Sequence, residues 1–463
     1  MDAKGKRVLV VGLGKSGVAS ALFLKARGAR VTVSDTRTEQ QLHQEIPTLL
    51  DRGIAIETGG HGERTFRDQD LIVVSPGVPT DVAPLARARA LGLPVIGEIE
   101  LASRFLKGRI VAITGSNGKT TTTTLCGDLI AGASQRVLVG GNIGTPVILL
   151  VDDSTDDTFN VLEVSSFQLE TIETFHPQIA VILNITPDHL DRHGSFQAYV
   201  DAKARIFKNQ GASDWAVLNL DNQVTAELAA KTKAGIAWFT RASLDAKHPY
   251  GAFLRDERIF WREDGREIEV MPLKEIPLKG AHNQENVLAA VCVARLAGAD
   301  AESIRRGVQK FKAVEHRLQL IANIRGVEYY NDSKATNVDA TIKAIESFPG
   351  NIHLILGGKD KDSDYSLMND LLRARVKRVY TIGAAAEKIR SHIRDAAEIV
   401  PSGTLDVAVQ RASQSAVPGD IVLLAPACSS FDQFENYEHR GRVFRKLVED
   451  LAEKNKAVAS ERR

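Results

Sequence analysis

Residues 109–124, RIVAITGSNGKTTTTT, constrain the fold more than any other stretch of the chain. The apolar run at 110–113 reads as a buried strand. Gly115 and Gly118 follow, then Lys119, a row of hydroxyls and an apolar run of helical period. Strand, glycine loop, Lys-Thr and helix is how a phosphate loop is built. Glycines let backbone N–H groups turn toward an anion, and the helix N-terminus adds a positive field. Lys119 adds a point charge, and the Thr120 hydroxyl can reach Mg²⁺. The usual signature has about four residues between its glycines. Here Ser116 and Asn117 alone separate them, and Ile113 stands where the first glycine belongs.

A chain of 463 residues has the length of about three domains. Its net charge of +1 and lack of a long basic block argue against nucleic acid or an anionic membrane as the main partner. Its apolar runs fall short of a membrane span, and the one at 8–11 is too short for a signal peptide. Cys126, Cys292 and Cys428 lie far apart, as expected of buried thiols in a reducing cytosol.

The first third reads as strand 8–11, the fingerprint Gly12-Leu13-Gly14-Lys15-Ser16-Gly17, helix 18–27 and strand 31–34, which closes on Asp35-Thr36-Arg37. The pattern is that of a diphosphate held at a helix N-terminus beside a ribose or base, NAD and FAD included. Strand 71–74 runs into Ser75-Pro76-Gly77, and 95–97 reads as a last strand, which sets a boundary near Gly97. Beyond the phosphate loop, strands are expected at 136–139, 160–164, 179–183 and 215–218 with helices between, a mostly parallel sheet. Asn142, Glu163 and His189 follow these strands, and Lys203 lies on an expected helix at 196–208. Residues 235–279 change to short alternating stretches, with a hairpin about Asp264-Gly265. A third α/β unit begins near Val314, with strands at 328–331, 353–356, 379–382 and 421–425. The expected division is 1–97, 98–313 and 314–463.

Transfer of a terminal phosphoryl group needs cations at the β and γ oxygens and an in-line nucleophile. Lys119 supplies charge, and Thr120 with Glu163 offers the oxygen ligands that Mg²⁺ prefers. Taken singly, Glu163 reads as a capping carboxylate, His189 as a structural histidine and Lys203 as a solvated lysine; beside a phosphate loop, Glu163 reads better as a metal ligand. The residues alone yield an ATP-dependent enzyme with a separate diphosphate-binding domain. A nicotinamide oxidoreductase with an accessory nucleotide domain, or a nucleotide-gated binding protein, stays open at this point.

The loop Thr114–Thr121 resembles the shortened ATP loop of the Mur ligase superfamily. Gly140-Gly141-Asn142-Ile143-Gly144, Glu163–Glu170, Asp188-His189-Leu190-Asp191-Arg192, Gly280-Ala281-His282-Asn283, His316-Arg317, Asn331–Asn337 and Ser430–Phe434 match in order along the whole chain. The motifs at 165–170, 331–337 and 430–434 resemble the D-glutamate-adding members in particular. The resemblance implies a three-domain α/β fold: an N-terminal Rossmann-like UDP-binding domain, a central P-loop ATPase-type parallel sheet and a C-terminal Rossmann-like domain. It implies that ATP phosphorylates the carboxylate of UDP-N-acetylmuramoyl-L-alanine and that the D-glutamate amine attacks the acyl phosphate, in peptidoglycan synthesis. Other Mur-type ligases and folylpolyglutamate synthase are the alternatives of the same class.

By resemblance, Gly115, Ser116, Asn117, Gly118, Lys119, Thr120, Thr121, Asn283, Asn286, Arg317 and Asp332 would contact ATP. Thr120 and Glu163 would bind one Mg²⁺, and His189 with Lys203, carbamylated in this family, a second. Asn142 would touch the transferring phosphoryl or the substrate, making Lys119, Asn142, Glu163, His189 and Lys203 the catalytic set. Ser16, Gly17, Asp35, Thr36, Arg37, Ser75, Gly77, Asn142, Gln168 and His189 would hold the UDP substrate. Lys334, Thr336, Lys361, Ser430 and Tyr437 would hold D-glutamate. A cytoplasmic monomer is expected.

Overall fold

The computed structural model describes residues 1–278, 280–312 and 315–461, with side chains through 455. The expected boundary at Ala313 and Val314 lies outside the described residues, as does Lys279, the end of the alternating region. Among the described residues the strands form three sheets.

The first sheet contains β1 (Arg7–Val11), β2 (Arg30–Ser34), β3 (Ala55–Glu57), β4 (Leu71–Val74) and β5 (Val95–Gly97), in the order β3-β2-β1-β4-β5 and wholly parallel. Val8, Leu9, Val10 and Val11 have no exposed surface, as expected of a parallel strand covered on both faces. The order reverses between β1 and β4, the place where such sheets bind ligands. The helix expected from 18 begins at Lys15, so Ser16 and Gly17 belong to its first turn. A Cβ on Gly17 would lie 1.9 Å from the Gly12 carbonyl oxygen, so helix and strand approach too closely for any other residue. The fingerprint is thus a demand of packing as well as of any ligand.

The second sheet contains β6 (Arg109–Thr114), β7 (Arg136–Gly141), β8 (Thr158–Glu163), β9 (Ile179–Ile182), β10 (Trp215–Asn219), β11 (Gly235–Thr240), β12 (Gly251–Arg255), β13 (Arg258–Glu263) and β14 (Arg266–Pro272). Its order is β14-β13-β12-β11-β10-β9-β6-β8-β7. Pairing is parallel from β7 to β12 and antiparallel through β13 and β14. The hairpin at Asp264-Gly265 forms, with both φ values positive (48° and 77°).

The third sheet contains β15 (Gln319–Ile324), β16 (Val327–Asn331), β17 (Ile352–Gly357), β18 (Val376–Ile382), β19 (Glu398–Gly403) and β20 (Ile421–Leu424), in the order β15-β16-β20-β17-β18-β19. It is parallel except for the β15–β16 hairpin.

The chain divides into two compact units. One holds Met1–Ile185, Ser195–Glu275 and Glu285–Lys310. The other holds Thr186–Gly194, Ile276–Gln284 and Phe311–Arg463. Within the first unit a continuous apolar core runs from Leu13, Phe23 and Leu101 to Val147, Leu162 and Phe207, so the first two sheets share it. The second unit has cores on both faces of the third sheet, about Leu354 and Met368 on one and Ile355 and Phe444 on the other.

Candidate active site

The phosphate loop leaves β6 at Thr114 and enters the helix Lys119–Gly132 through Gly118. Gly118 has φ 84°, and a Cβ there would meet Asn286 Oδ1 at 2.2 Å, so glycine is required twice over. Asn184, just beyond β9, pins the loop. Its backbone oxygen accepts from Ser116 N at 2.8 Å, and its Oδ1 accepts from Asn117 N at 2.8 Å. Those two backbone N–H groups therefore serve the loop's own shape, and the free end of the helix carries the positive field.

Thr120 Oγ1 donates to Glu163 Oε2 at 2.7 Å, and Asn142 Nδ2 donates to Glu163 Oε1 at 2.8 Å. Asn142 N also donates to the Glu163 carbonyl at 2.8 Å. Glu163 ends β8, Asn142 follows β7, and the parallel register brings the two together at the C-terminal edge of the sheet. Glu163 is fully buried. Lys119 Nζ donates to the carbonyls of Gly115 and Ser116 at 2.9 and 2.8 Å. Lys203, 1% exposed, donates to the same Gly115 carbonyl at 2.9 Å. Two ammonium groups thus meet at one loop carbonyl, a concentration of positive charge suited to a polyphosphate. Asn286 accepts from the Thr122 hydroxyl at 3.3 Å, and Thr121 is buried in the same first turn.

Asn184 opens the polar cluster after β9 that was expected to converge on the loop; Tyr199 was missed. The Tyr199 hydroxyl lies 3.0 Å from Ser116 Oγ, and its ring lies 4.6 Å from Lys203 Nζ. The available signal was spacing, since Tyr199 stands one helical turn before Lys203.

In the first sheet, Asp35 accepts from Leu13 N at 2.7 Å and from Arg37 N, Nε and Nη2 at 2.8, 3.1 and 2.9 Å. Burial pushes the Asp35 carboxyl up, and the hydrogen bonds from Arg37 and Leu13 outweigh it, so it titrates below the ordinary carboxylate range. Asp35 therefore ties the loop after β2 to the glycine turn after β1, with Thr36 exposed beside it. Ser75 Oγ donates to the Gly12 carbonyl at 2.7 Å, while the space about Gly77 is open. Gln168 completes a capping box with Ser165: its Oε1 accepts from Ser165 N at 2.9 Å, and its own N–H donates to Ser165 Oγ at 3.2 Å. Ser75 and Gln168 come together in one narrow pocket with Gly97, Glu98 and Thr171.

The remaining expected residues belong to the second unit. Asp332 is buried and Arg317 half-buried, with Asp332 Oδ1 and Arg317 Nε lacking hydrogen-bond partners among the described residues, an arrangement suited to a polar ligand. Burial pushes the Asp332 carboxyl up to about 6, against the opposing pull of Arg317. Asn283 is buried beside His282, whose imidazole burial holds down at about 4, aided by the charges of Arg317 and Lys343. Lys334 Nζ donates to the Tyr437 hydroxyl at 2.8 Å and sits 4.2 Å over its ring. Thr336 N donates to the Lys334 carbonyl at 2.8 Å. Lys361 pairs with Asp188 at 3.5 Å, and Asp188 also accepts from Asn337 Nδ2 at 3.0 Å. His189 follows, its Nε2 3.7 Å from Asp188 Oδ2. Ser430 is buried, and its carbonyl accepts from Phe434 N at 2.8 Å.

Arg440 was missed. Fully buried, it donates to Ser333 Oγ at 3.0 Å, Ser333 O at 2.8 Å and Cys428 O at 3.2 Å, tying together the loops that carry Lys334 and Ser430.

Among the described residues no group of three or more His, Cys, Asp or Glu forms a metal cage. Mg²⁺ held by one or two protein oxygens, phosphate and water needs none. No helix among them is long and apolar enough to cross a membrane.

Three family descriptions match the chain. They are the MurD-like Mur ligase N-terminal domain over residues 6–97, the Mur ligase middle domain over 113–294 and the Mur ligase glutamate ligase domain over 316–428. The chain is 62% identical over 456 residues to UDP-N-acetylmuramoylalanine–D-glutamate ligase of Koribacter versatilis (strain Ellin345), covering 98% of this chain and 100% of the relative. It is 63% identical over 450 residues to the protein of the same description from Acidobacterium capsulatum, covering 97% of each. Among solved structures, a pseudomurein peptide ligase type C from Methanothermus fervidus shares the fold with a TM-score of 0.61 at 21% identity, over 96% of this chain and 100% of that one. A UDP-N-acetylmuramate–alanine ligase from Thermotoga maritima does so with a TM-score of 0.59 at 20% identity, over 96% and 99%.

Proposed function

The chain belongs to the Mur ligase family, and on that premise we propose that it joins D-glutamate to UDP-N-acetylmuramoyl-L-alanine, using ATP, in the synthesis of peptidoglycan precursors. The observation that carries this reading is an identity of 62–63% over almost the whole chain with two relatives of that description. The arrangement of Thr120, Asn142 and Glu163 about the phosphate loop supplies the chemistry.

A carboxylate is a poor acyl donor because oxide would have to leave. On this reading its oxygen attacks the γ-phosphorus of ATP, the bond from the γ-phosphorus to the bridging oxygen breaks, and ADP departs, leaving an acyl phosphate. The D-glutamate amine then attacks the acyl carbon, the tetrahedral intermediate collapses to the amide and phosphate, and the amine loses its proton to solvent or base. Lys119 neutralises charge as it moves onto the β and γ oxygens. Asn142, held by Glu163, faces the transferring group. Gly115, Ser116, Asn117, Gly118, Thr121, Asn283, Asn286, Arg317 and Asp332 would complete the ATP contacts.

The donor set fits Mg²⁺ at one position. The Thr120 hydroxyl and Glu163 carboxylate are hard oxygens 2.7 Å apart. The ion would supply Lewis-acid neutralisation of phosphate oxygens. A second ion would draw on His189 and Lys203. An ammonium cannot ligate a cation, so that position requires Lys203 as its carbamate.

Ser16, Gly17, Asp35, Thr36, Arg37, Ser75, Gly77, Gln168, Asn142 and His189 would hold the UDP substrate. Lys334, Thr336, Lys361, Ser430 and Tyr437 would receive D-glutamate, two cations facing two carboxylates. These roles follow a domain division of 1–97, 98–313 and 314–463. The enzyme would act as a cytoplasmic monomer, in keeping with three free, buried cysteines.

Phosphate release in the presence of ATP, Mg²⁺ and UDP-N-acetylmuramoyl-L-alanine, screened across D-Glu, L-Glu, L-Ala, L-Lys and meso-diaminopimelate, tests the reading. Release with D-Glu alone is expected; stimulation by any other amino acid instead would overturn it.

A further inference from the structure

Behind the loops assigned above to D-glutamate, the second unit contains a buried chain of hydrogen bonds centred on Tyr365, a residue that no motif singled out. β17 ends at Gly357, Gly358 follows, and the next residue pairs with the loop after β20. Lys359 N donates to the Ser429 carbonyl at 2.9 Å, and Ser429 N donates back to the Lys359 carbonyl at 3.1 Å. A one-residue antiparallel bridge is a weak link between two loops. Beneath it lies Tyr365, with no exposed surface, its hydroxyl 2.7 Å from Asp360 Oδ1 and 2.9 Å from Cys428 Sγ.

Counting protons fixes the direction of this chain. Asp360 also accepts from Ser363 N at 3.1 Å and from Lys388 Nζ at 2.7 Å. Burial pushes its carboxyl up, and the bonds from Lys388 and Tyr365 outweigh it, so it is ionised at neutral pH and only accepts. The single phenolic proton of Tyr365 therefore goes to Asp360. The phenolic oxygen is left to accept the Cys428 S–H, whose thiol burial pushes up to about 12. The order is Cys428 to Tyr365 to Asp360, with Lys388 closing the far end.

We propose that Tyr365 is a positioning residue for amino-acid recognition: through Asp360 and Cys428 its hydroxyl locks the loop that carries Lys361 to the loop that carries Ser430. This rests on the reading that Lys361 and Ser430 hold D-glutamate. The two side chains extend from loops that follow separate strands, and their spacing has to match two carboxylates on one small molecule. The backbone joins them at Lys359 and Ser429, where Ser429 Oγ also donates to the Lys359 carbonyl at 3.0 Å, and where the strands end, Gly357 N donating to the Pro426 carbonyl at 2.9 Å. Those links all lie before Asp360; the Tyr365 hydroxyl adds one beyond them, from inside the core, and so limits the pivoting of 360–364 about the bridge.

Tyr365→Phe tests this in the full chain, because it keeps the packed ring and removes only the oxygen that bridges Asp360 and Cys428. The KM for D-glutamate is expected to rise about tenfold, as for loss of a hydrogen bond to a charged group. The KM values for ATP and for UDP-N-acetylmuramoyl-L-alanine are expected to stay within about twofold. Amide hydrogen exchange across 359–364 is expected to quicken. An unchanged D-glutamate KM, or an equal rise for all three substrates, overturns the proposal. If the wild-type chain shows no D-glutamate-dependent phosphate release, the functional reading fails, and exchange alone judges Tyr365: unaltered protection of 359–364 overturns the lock. Should the phenylalanine variant not fold, Lys388→Met, at the outer end of the chain, is expected to give the same selective rise in smaller measure, and its absence overturns the proposal equally.

Discussion

At the scale of single residues, the sequence was most informative where local geometry requires a particular type. Gly118 is one case, forced by its positive φ and by Asn286, and the Lys119-Thr120 pair after it followed from the motif. Silent residues are those whose role comes from distant partners. Tyr199 meets Ser116 across 83 residues, and Arg440 meets Ser333 across 107. Alone, each is an ordinary tyrosine or arginine. Glu98 is another. It opens the helix Glu98–Ser103, and its Oε1 accepts from Ile148 N at 2.7 Å, while Oε2 is buried without a hydrogen-bond partner among the described residues. Burial pushes its carboxyl from 4.5 up to about 7, against the opposing bonds from Ile148 and Val147. Because the folded-state value is raised, the stability it contributes is fully present below pH 4.5 and is lost as pH rises through 7. Glu98→Gln, which stays neutral throughout, should therefore gain on the wild type by about 3 kcal/mol between pH 4.5 and pH 8, read by urea unfolding at each pH. A difference that does not change with pH would show that Glu98 is not held in this way.

At the scale of elements, the strands of the parallel sheets were legible because burial on both faces gives unbroken apolar runs, as in β1, β4 and β9. Two of the missed strands are at the margins of the third sheet. β15 and β19 border the third sheet with several partly exposed or exposed positions each, so their apolar runs are interrupted. Turn chemistry explains another difference. The β13–β14 hairpin announced itself through Asp264-Gly265, whereas β12 and β13 join through Asp256-Glu257, both left-handed at φ 49° and 55° without a glycine. Glutamate in that conformation costs about 1 kcal/mol. Replacing the pair by Asn-Gly should raise Tm by roughly 2–4 °C, since that dipeptide favours such two-residue turns. Calorimetry would detect the change, and a lowered Tm would mean that the side chains hold the turn by contacts worth more than the strain.

At the scale of the whole molecule, length and recurring strand–helix patterns foretold three α/β sheets, but a shared apolar core between the first two was beyond periodicity to reveal. Trp215, Trp238 and Trp261, the chain's three tryptophans, all belong to the first unit. Tryptophan emission should consequently follow unfolding of that unit alone, while far-UV circular dichroism follows both. With separate cores, the two urea transitions should not coincide; superimposable curves would mean one cooperative unit. The partition of the chain also bears on how such a ligase can change its choice of amino acid. The backbone passes from one unit to the other after Ile185, Gly194, Glu275, Gln284 and Lys310. No single crossover in the gene exchanges the second unit cleanly, because 186–194 and 276–284 would have to travel with 311–463. On the proposed assignment of D-glutamate to Lys334, Lys361 and Ser430, new specificities are therefore more accessible by substitution in the loops after β16, β17 and β20 than by shuffling whole modules.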